Sequence, residues 1–171
     1  MDFHCVLVII NPIAGQHDPA ATRTLIEQRF GLAQIAYEIR TTQAEGDALR
    51  WAQQADNDGF DLVVVSGGDG TIMEAMSGLI KGGSRVPLAQ LPAGTANLLA
   101  RALGIPTDQA EALETVFLGK PVPSPPLPTQ LDGELLGTTP LEVETIPGGA
   151  LLVVPQAYSK AEEVPTLARS A

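Results

Sequence analysis

The stretch "DLVVVSGGDGTIMEA", residues 61–75, predicts a buried strand, a tight turn and a helix in direct succession. Four apolar residues at 62–65 precede three glycines within four positions around Asp69. Glycine and aspartate are poor strand and helix formers, so propensity does not explain this cluster. Glycines allow a sharp turn and a close approach to a ligand, and a helix starting at about Thr71 would direct free N–H groups at an anion. The stretch therefore predicts either a phosphate loop or a tight turn in which Asp69 caps the helix.

The same alternation of strand and helix recurs through roughly the first hundred residues. "FHCVLVII" and "VPLAQL" are predicted strands, and the helix after the glycine cluster is expected to turn Ile72, Met76, Leu79 and Ile80 inward. Continuously apolar strands alternating with helices predict an α/β fold, a three-layer Rossmann-like parallel sheet covered on both faces. The loops "NPIAG", "SGGDGT" and "LPAGTAN" each follow a strand. We therefore expect them to meet at the carboxyl edge of the sheet, where such folds bind ligands.

Composition limits the classes of partner. The chain has 171 residues, 44% of them hydrophobic, and a net charge of −10, which suits one domain or slightly more. Binding to nucleic acid or to an anionic membrane surface through a basic patch is not expected at this charge. The N-terminal apolar run reads as a strand rather than a signal peptide or membrane span, so we expect a cytoplasmic protein.

The glycine loop does not match the two most familiar phosphate loops. The chain lacks G-x-x-x-x-G-K-[ST], and Gly67, Gly68 and Gly70 do not fit G-x-G-x-x-G. A carboxylate at Asp69 would repel phosphate, unless it acts through a Mg²⁺ ion or hydrogen-bonds the nucleotide.

Four motifs together resemble one family. "SGGDGTIME" resembles the G-G-D-G-T signature of the superfamily of diacylglycerol kinases, sphingosine kinases, NAD kinases and phosphofructokinases. "IINPIAG", "TTQAEGDA" and "LPAGTANLLARALGIP" are similar to lipid-kinase motifs, and NAD kinases and phosphofructokinases lack the last one. The motifs occur in the family's order from residue 5 to about residue 120. The resemblance is therefore to lipid kinases of the diacylglycerol and sphingosine kinase type, with a phosphofructokinase/NAD kinase-like N-terminal domain.

The resemblance implies a nucleotide site that binds ATP together with Mg²⁺. The implied nucleotide-binding residues are Asn11, Gly15, Thr42, Gly67, Gly68, Asp69, Gly70, Thr71, Gly94, Thr95 and Asn97. Asp69 belongs to the loop around the phosphates and is also an implied catalytic residue; no set of protein metal ligands is implied. The chain departs from the family pattern at Met73, which replaces an asparagine while Glu74 is kept, and by helical periodicity Met73 could be a packing residue.

The C-terminal part resembles the end of the same kinases. In "TQLDGELLG" the D-G-E motif implies that Glu134 is the general base, since a carboxylate near the γ-phosphate could accept the proton of the attacking lipid hydroxyl. From the residues alone, the favoured interpretation of Glu134 is an exposed turn residue beside Asp132 and Gly133.

Composition and the resemblance together predict the division of the chain. Residues 1–120 form a nucleotide-binding kinase domain, and 121–128, with five prolines in eight residues, form a Pro-rich junction. Residues 129–155 are a β-rich remnant of the second domain with a return strand, and 156–171 are a disordered tail. Most of the family's second domain, including its D-G-x-L-D loop, has no counterpart between the junction and the remnant. A natural deletion, a minimal relative, or an engineered or broken gene would each explain this difference. We expect the remaining strands to pack poorly, to dimerise or to lean on the first domain.

Three functions follow as hypotheses. The first is an ATP-dependent kinase that phosphorylates a lipid alcohol such as diacylglycerol. Such an enzyme would contact a membrane transiently, and the sequence leaves open whether it forms a homodimer. The second is a catalytically inactive nucleotide-binding remnant or regulator. The third, an NAD kinase-like enzyme, is disfavoured by "LPAGTANLLARALGIP".

Overall fold

A computed structural model describes residues 3–15, 17–123 and 151–154. Glu134, most of the predicted junction and remnant, and the predicted tail at 156–171 lie outside the described residues.

Six strands and five helices make up the described chain. In chain order they are β1 (Cys5–Ile10), α1 (Pro19–Ala33), β2 (Ala36–Thr41), α2 (Asp47–Gln54), β3 (Leu62–Gly67), α3 (Asp69–Lys81), β4 (Leu88–Pro92), α4 (Leu98–Ala102), α5 (Gln109–Leu118), β5 (Lys120–Pro123) and β6 (Leu151–Val154).

The strands form one sheet in the order β2-β1-β3-β4-β6-β5. The first four strands of this order are parallel, β6 joins β4 in parallel, and β5 closes the edge antiparallel to β6. The mostly parallel sheet confirms the predicted α/β class.

Helices cover both faces of the sheet. The chain leaves β1 towards β2 and then crosses back to β3, so right-handed crossovers place α1 and α2 on opposite faces. Helix α5 packs beside α1, where the rings of Phe30 and Phe117 lie 5.7 Å apart and Arg29 makes two hydrogen bonds with Glu114. Helix α3 packs against α2. The predicted three-layer arrangement follows from these contacts.

The core lies between the sheet and its helices. All six residues of β3 and all five of β4 are buried, whereas the edge strand β2 is half-buried or exposed. From α3, Ile72 and Leu79 are 2% and 1% exposed, as predicted. Two expectations for this helix are wrong: Ile80 is 40% exposed, and Met73, offered as a packing residue, is 53% exposed. The buried stripe of α3 is therefore narrower than the sequence pattern suggested.

Helices α2 and α3 approach closely because α3 carries glycine where they cross. A Cβ atom on Gly78 would collide with the carbonyl oxygen of Leu49, and one on Gly82 with that of Gln53. This contact fixes the distance between the two helices on that face.

The last described segment completes the sheet. Val153 and Val154 of β6 are 1% and 0% exposed, and the backbone of Leu152 pairs with Leu88. Of the three outcomes expected for the remnant strands at 129–155, the described residues 151–154 show the third, because they pair with β4 of the first domain. Among the described residues no helix has the length and hydropathy needed to cross a membrane.

Candidate functional site

The carboxyl ends of β1 and β3 mark the point where the strand order reverses. The chain runs outward from β1 to β2 and then returns to β3 on the other side of β1, and open α/β sheets bind ligands at this kind of reversal. Two backbone hydrogen bonds join the loops there: Asn11 N–H to the Ser66 carbonyl at 2.8 Å, and Ala93 N–H to the Gly67 carbonyl at 2.9 Å. The loops after β1, β3 and β4 thus meet at one edge, as the sequence predicted.

A cavity of about 440 Å³, here called the carboxyl-edge cavity, opens between these loops. This volume falls in the range typical of small-molecule sites. The predicted site residues that line it are Asn11, Gly15, Gly68, Gly70, Thr71, Gly94 and Thr95. Its other lining residues are Ile13, Ala14 and Glu74.

Four predicted residues within the described chain do not line this cavity: Thr42, Gly67, Asp69 and Asn97. Thr42 follows β2, and its N–H bonds to the Ile10 carbonyl at 2.9 Å. Gly67 is the last residue of β3. These residues lie beside the cavity and shape its surroundings.

The glycines serve two different purposes. A Cβ atom on Gly94 would lie 2.6 Å from the Cα atom of Gly68, so these two loops touch backbone to backbone. Gly15 has φ +64°, and its Cβ atom would collide with the Ala93 carbonyl. A Cβ atom on Gly70, in contrast, would meet nothing within 4 Å. Only Gly70 borders open space, while the other three glycines allow the loops to pack together.

Asn11 joins the first loop to the start of α3. Its side-chain nitrogen donates a hydrogen bond to Thr71 Oγ1 at 2.9 Å, and its side-chain oxygen accepts one from Ile13 N–H at 3.1 Å. Thr71 is buried, and the Asn11 amide is held by both of these hydrogen bonds, so the two side chains keep a fixed orientation. Asn11 therefore shapes the cavity wall through Thr71.

Asp69 is the first residue of α3 and does not cap it. The N-cap is Gly68, which makes no side-chain capping bond, so the predicted start at Thr71 and the capping alternative are both wrong. The Asp69 carboxylate instead accepts a hydrogen bond from Leu99 N–H at 3.4 Å. It thereby links the start of α3 to the start of α4.

Asn97 holds the loop between β4 and α4 in shape. It adopts a left-handed conformation with φ 47°. Its side chain accepts a hydrogen bond from Gly94 N–H at 2.9 Å and donates one to the Gly94 carbonyl at 2.7 Å. Asn97 therefore fixes the turn that brings Gly94 against Gly68.

Sequence reasoning assigned no role to Glu74, although its half-buried side chain lines the cavity. One carboxylate oxygen, Oε2, accepts a hydrogen bond from Gly46 N–H at 3.1 Å. Helical spacing carries the missed signal, because Glu74 follows Gly70 by four positions and Thr71 by three and so shares a face with both.

Backbone donors dominate the electrostatics of the cavity. Its lining contains no lysine or arginine and one carboxylate, Glu74. The first turn of α3 supplies free N–H groups and the positive end of the helix dipole. The described residues contain no cluster of three metal-ligating side chains. The arrangement suits an anion bound mainly by backbone N–H groups.

Asp47 organises the neighbouring loop before α2. Its carboxylate accepts hydrogen bonds from Gln43 N–H at 2.8 Å and Ala44 N–H at 3.0 Å, and from Arg50 at 2.9 Å. The two backbone bonds, followed by the Arg50 contacts, hold the pKa of Asp47 below its usual value.

A second cavity of about 210 Å³ lies between the starts of α1 and α5. Its lining includes Asp18 and Asp108, whose carboxylates cap these two helices. Because the caps already use the helix N–H groups and add negative charge, this cavity is less suited to an anion than the carboxyl-edge cavity.

Comparison with known proteins agrees with the motifs. Residues 5–125 match the model of the diacylglycerol kinase catalytic domain. A diacylglycerol kinase of Bacillus subtilis is 38% identical over 113 residues, which are 66% of this chain and 37% of that protein. A Pseudomonas aeruginosa protein described as "Probable lipid kinase YegS-like" is 47% identical over 108 residues, 63% of this chain and 34% of that protein. The chain thus spans about a third of the length of these relatives.

Solved structures show the same architecture. The crystal structure of a diacylglycerol kinase from Bacillus anthracis matches with a TM-score of 0.64 and 37% identity, over 72% of this chain and 46% of that one. Since the family model covers most of the chain, this protein belongs to the diacylglycerol kinase catalytic domain family.

Proposed function

We propose that this chain binds ATP in the carboxyl-edge cavity and transfers its γ-phosphate to the hydroxyl group of a lipid such as diacylglycerol. One observation carries the proposal: three loops of a lipid-kinase-family domain enclose a cavity at the sheet reversal, beside the open N-terminus of α3. The names of the curated relatives, diacylglycerol kinase and lipid kinase, support the reaction class.

The proposed phosphate position is the first turn of α3. Gly70 borders open space there, so phosphate oxygens can approach the backbone N–H groups without meeting a side chain. Asn11 and Thr71 hold each other at the wall, and the contact between Gly68 and Gly94 sets the width of the opening. These residues would position the phosphates, and positioning contributes much of the rate in phosphoryl transfer.

The donor set suits a Mg²⁺ ion that arrives with the nucleotide. Mg²⁺ usually keeps several waters and takes one or two carboxylates besides substrate phosphates, so a closed protein cage is not required. Asp69 uses Oδ1 for the Leu99 amide, and within the described residues its Oδ2 makes no hydrogen bond and could serve the ion. When bound, the ion would neutralise phosphate charge that the cavity lining, without lysine or arginine, does not offset.

Glu134 is the proposed general base. It lies eleven residues beyond Pro123, the end of β5. Because β5 runs antiparallel to β6, Pro123 lies at the edge of the sheet opposite the carboxyl edge. An extended chain of eleven residues spans up to about 36 Å, which exceeds the length of about 20 Å of a six-residue strand that it has to cover. The carboxylate can therefore reach the carboxyl edge, where it would accept the lipid hydroxyl proton as the oxygen attacks. A lipid acceptor also requires transient contact with a membrane.

A nucleotide-binding protein without transfer activity is the second candidate. The chain covers 30% to 37% of the curated relatives it matches, so the transfer activity named for those whole proteins is a proposal for this chain. Both candidates require the nucleotide site, and they differ in the transfer step.

Calorimetry of ATP binding, with and without Mg²⁺, tests the part that both candidates share. We expect binding that depends on Mg²⁺ and weakens in Asp69→Ala. No binding by wild-type protein with a cooperative unfolding transition would reject both candidates. Transfer is then tested with radiolabelled ATP and diacylglycerol in mixed micelles, with Glu134→Gln as the control that should bind ATP and lose transfer.

A further inference from the structure

A side-chain hydrogen bond connects helix α3 to the loop before α2. Glu74 in the second turn of α3 accepts a hydrogen bond from Gly46 N–H at 3.1 Å. Gly46 is the N-cap of α2 and has φ +85°. The contact therefore joins the start of α2 to the helix that begins in the glycine loop.

Other contacts hold the rest of this loop, residues 42–46. Thr42 N–H bonds to the Ile10 carbonyl, and the N–H groups of Gln43 and Ala44 bond to Asp47. These bonds attach the loop to β1 and to α2. Among the hydrogen bonds of the described residues, the Glu74 contact is the one that attaches it to α3.

A direct contact between Glu74 and phosphate does not account for this carboxylate. It lines a cavity whose lining contains no lysine or arginine, and a negative charge beside a triphosphate opposes binding. Its position at the start of α2 explains it better, since the N-terminus of a helix stabilises a carboxylate and the Gly46 N–H obtains a partner.

We propose that Glu74, which itself lines the carboxyl-edge cavity, is a positioning residue that holds loop 42–46 against α3 beside that cavity before a nucleotide enters. The proposal rests on the proposed function for its effect on nucleotide affinity. A loop that is already ordered does not have to be ordered on binding, so affinity is higher than with a mobile loop.

Amide hydrogen exchange of the full chain without nucleotide tests the contact itself. In Glu74→Ala we expect the Gly46 amide to exchange about tenfold faster or more, as for loss of a charge-assisted hydrogen bond. Glu74→Gln keeps a side-chain oxygen acceptor and should restore most of the protection. Glu45→Ala is the matched control, since it removes an exposed carboxylate from the same loop and should leave exchange at Gly46 unchanged. Unchanged exchange in a folded Glu74→Ala protein overturns the proposal.

Binding of the non-hydrolysable analogue AMP-PNP with Mg²⁺ tests the consequence. We expect about tenfold weaker binding in Glu74→Ala, near-wild-type binding in Glu74→Gln and wild-type binding in Glu45→Ala. If Glu74→Gln binds as weakly as Glu74→Ala while Gly46 stays protected, the negative charge acts directly and the positioning role is wrong. If wild-type protein does not bind, the proposed function fails, and the exchange experiment still decides whether Glu74 holds the loop.

Discussion

At the scale of single residues, the glycines of the site fall into two groups: those that contact the backbone of another loop, and one that borders open space. Gly68 and Gly94 lie against each other, and Gly15 lies against Ala93, so their missing side chains let loops pack. Of the glycines that line the cavity, Gly70 alone has room for a Cβ atom, which would meet nothing within 4 Å. The difference predicts opposite consequences for the same substitution.

Gly94→Ala should destabilise the protein by about 1–3 kcal/mol, because its Cβ atom would lie 2.6 Å from the Gly68 Cα atom. Gly70→Ala should leave stability unchanged or slightly higher and weaken ATP binding, because its methyl group enters the space proposed for phosphate. Urea denaturation and ATP calorimetry measure the two effects. Equal loss of stability in both variants would contradict the distinction.

Asp47 should make stability depend on pH. Its pKa is lower in the folded protein than its unfolded value near 4, so its contribution is present above about pH 4 and is lost as the pH falls through the folded pKa. The free-energy difference between wild type and Asp47→Asn should therefore be largest near pH 7 and shrink towards pH 3.

Urea denaturation of both proteins at pH 7, 5 and 3 provides the measurement. The pKa values of Glu38 and Glu114 are lowered by Arg40 and Arg29, and both carboxylates are present in both proteins, so their contributions cancel in the difference. A difference that does not vary with pH would show that the charge of Asp47 is not responsible.

At the scale of secondary-structure elements, the first two turns of α3 contact three other segments. Asp69 reaches α4, Thr71 accepts a hydrogen bond from the loop after β1, and Glu74 reaches the loop before α2. Further along the helix, α3 packs against α2 through Gly78. The position of this helix therefore determines the shape of the cavity.

Gly78→Ala should separate α3 from α2 and destabilise the protein by about 1–3 kcal/mol, because the new methyl group collides with the Leu49 carbonyl. The matched control is Gly31→Ala in α1, where a Cβ atom meets nothing within 4 Å. That substitution should stabilise by about 0.5–1 kcal/mol through helix propensity. Thermal and urea denaturation compare the two, and a Gly78→Ala protein as stable as wild type would refute the close contact.

At the scale of the whole molecule, the sheet is completed by residues far along the chain. Strand β6 at Leu151–Val154 lies between β4 and β5, although more than fifty residues separate it from β4 in sequence. Its two buried valines, Val153 and Val154, make this strand part of the hydrophobic core.

Val154→Ala should therefore cost about 2 kcal/mol of unfolding free energy, since the side chain is 0% exposed. Leu118→Ala removes a larger but 57% exposed side chain and should have a smaller effect. Denaturation midpoints distinguish the two. If Val154→Ala has no effect, β6 does not contribute to the core of the first domain in solution.

The sequence by itself determined the alternation of strands and helices, the buried strands and the placement of three loops at one edge. These features follow from local periodicity and from the direction of parallel strands, which short segments encode. The resemblance of the chain's motifs to the kinase family also implied seven residues that line the cavity. Only the tertiary structure decided that Gly68 touches Gly94, that Asp69 reaches Leu99, that Glu74 holds Gly46 and that β6 joins the sheet. Each of these contacts joins residues more than twenty positions apart, and their pairing depends on how the packed elements meet, which no local pattern records.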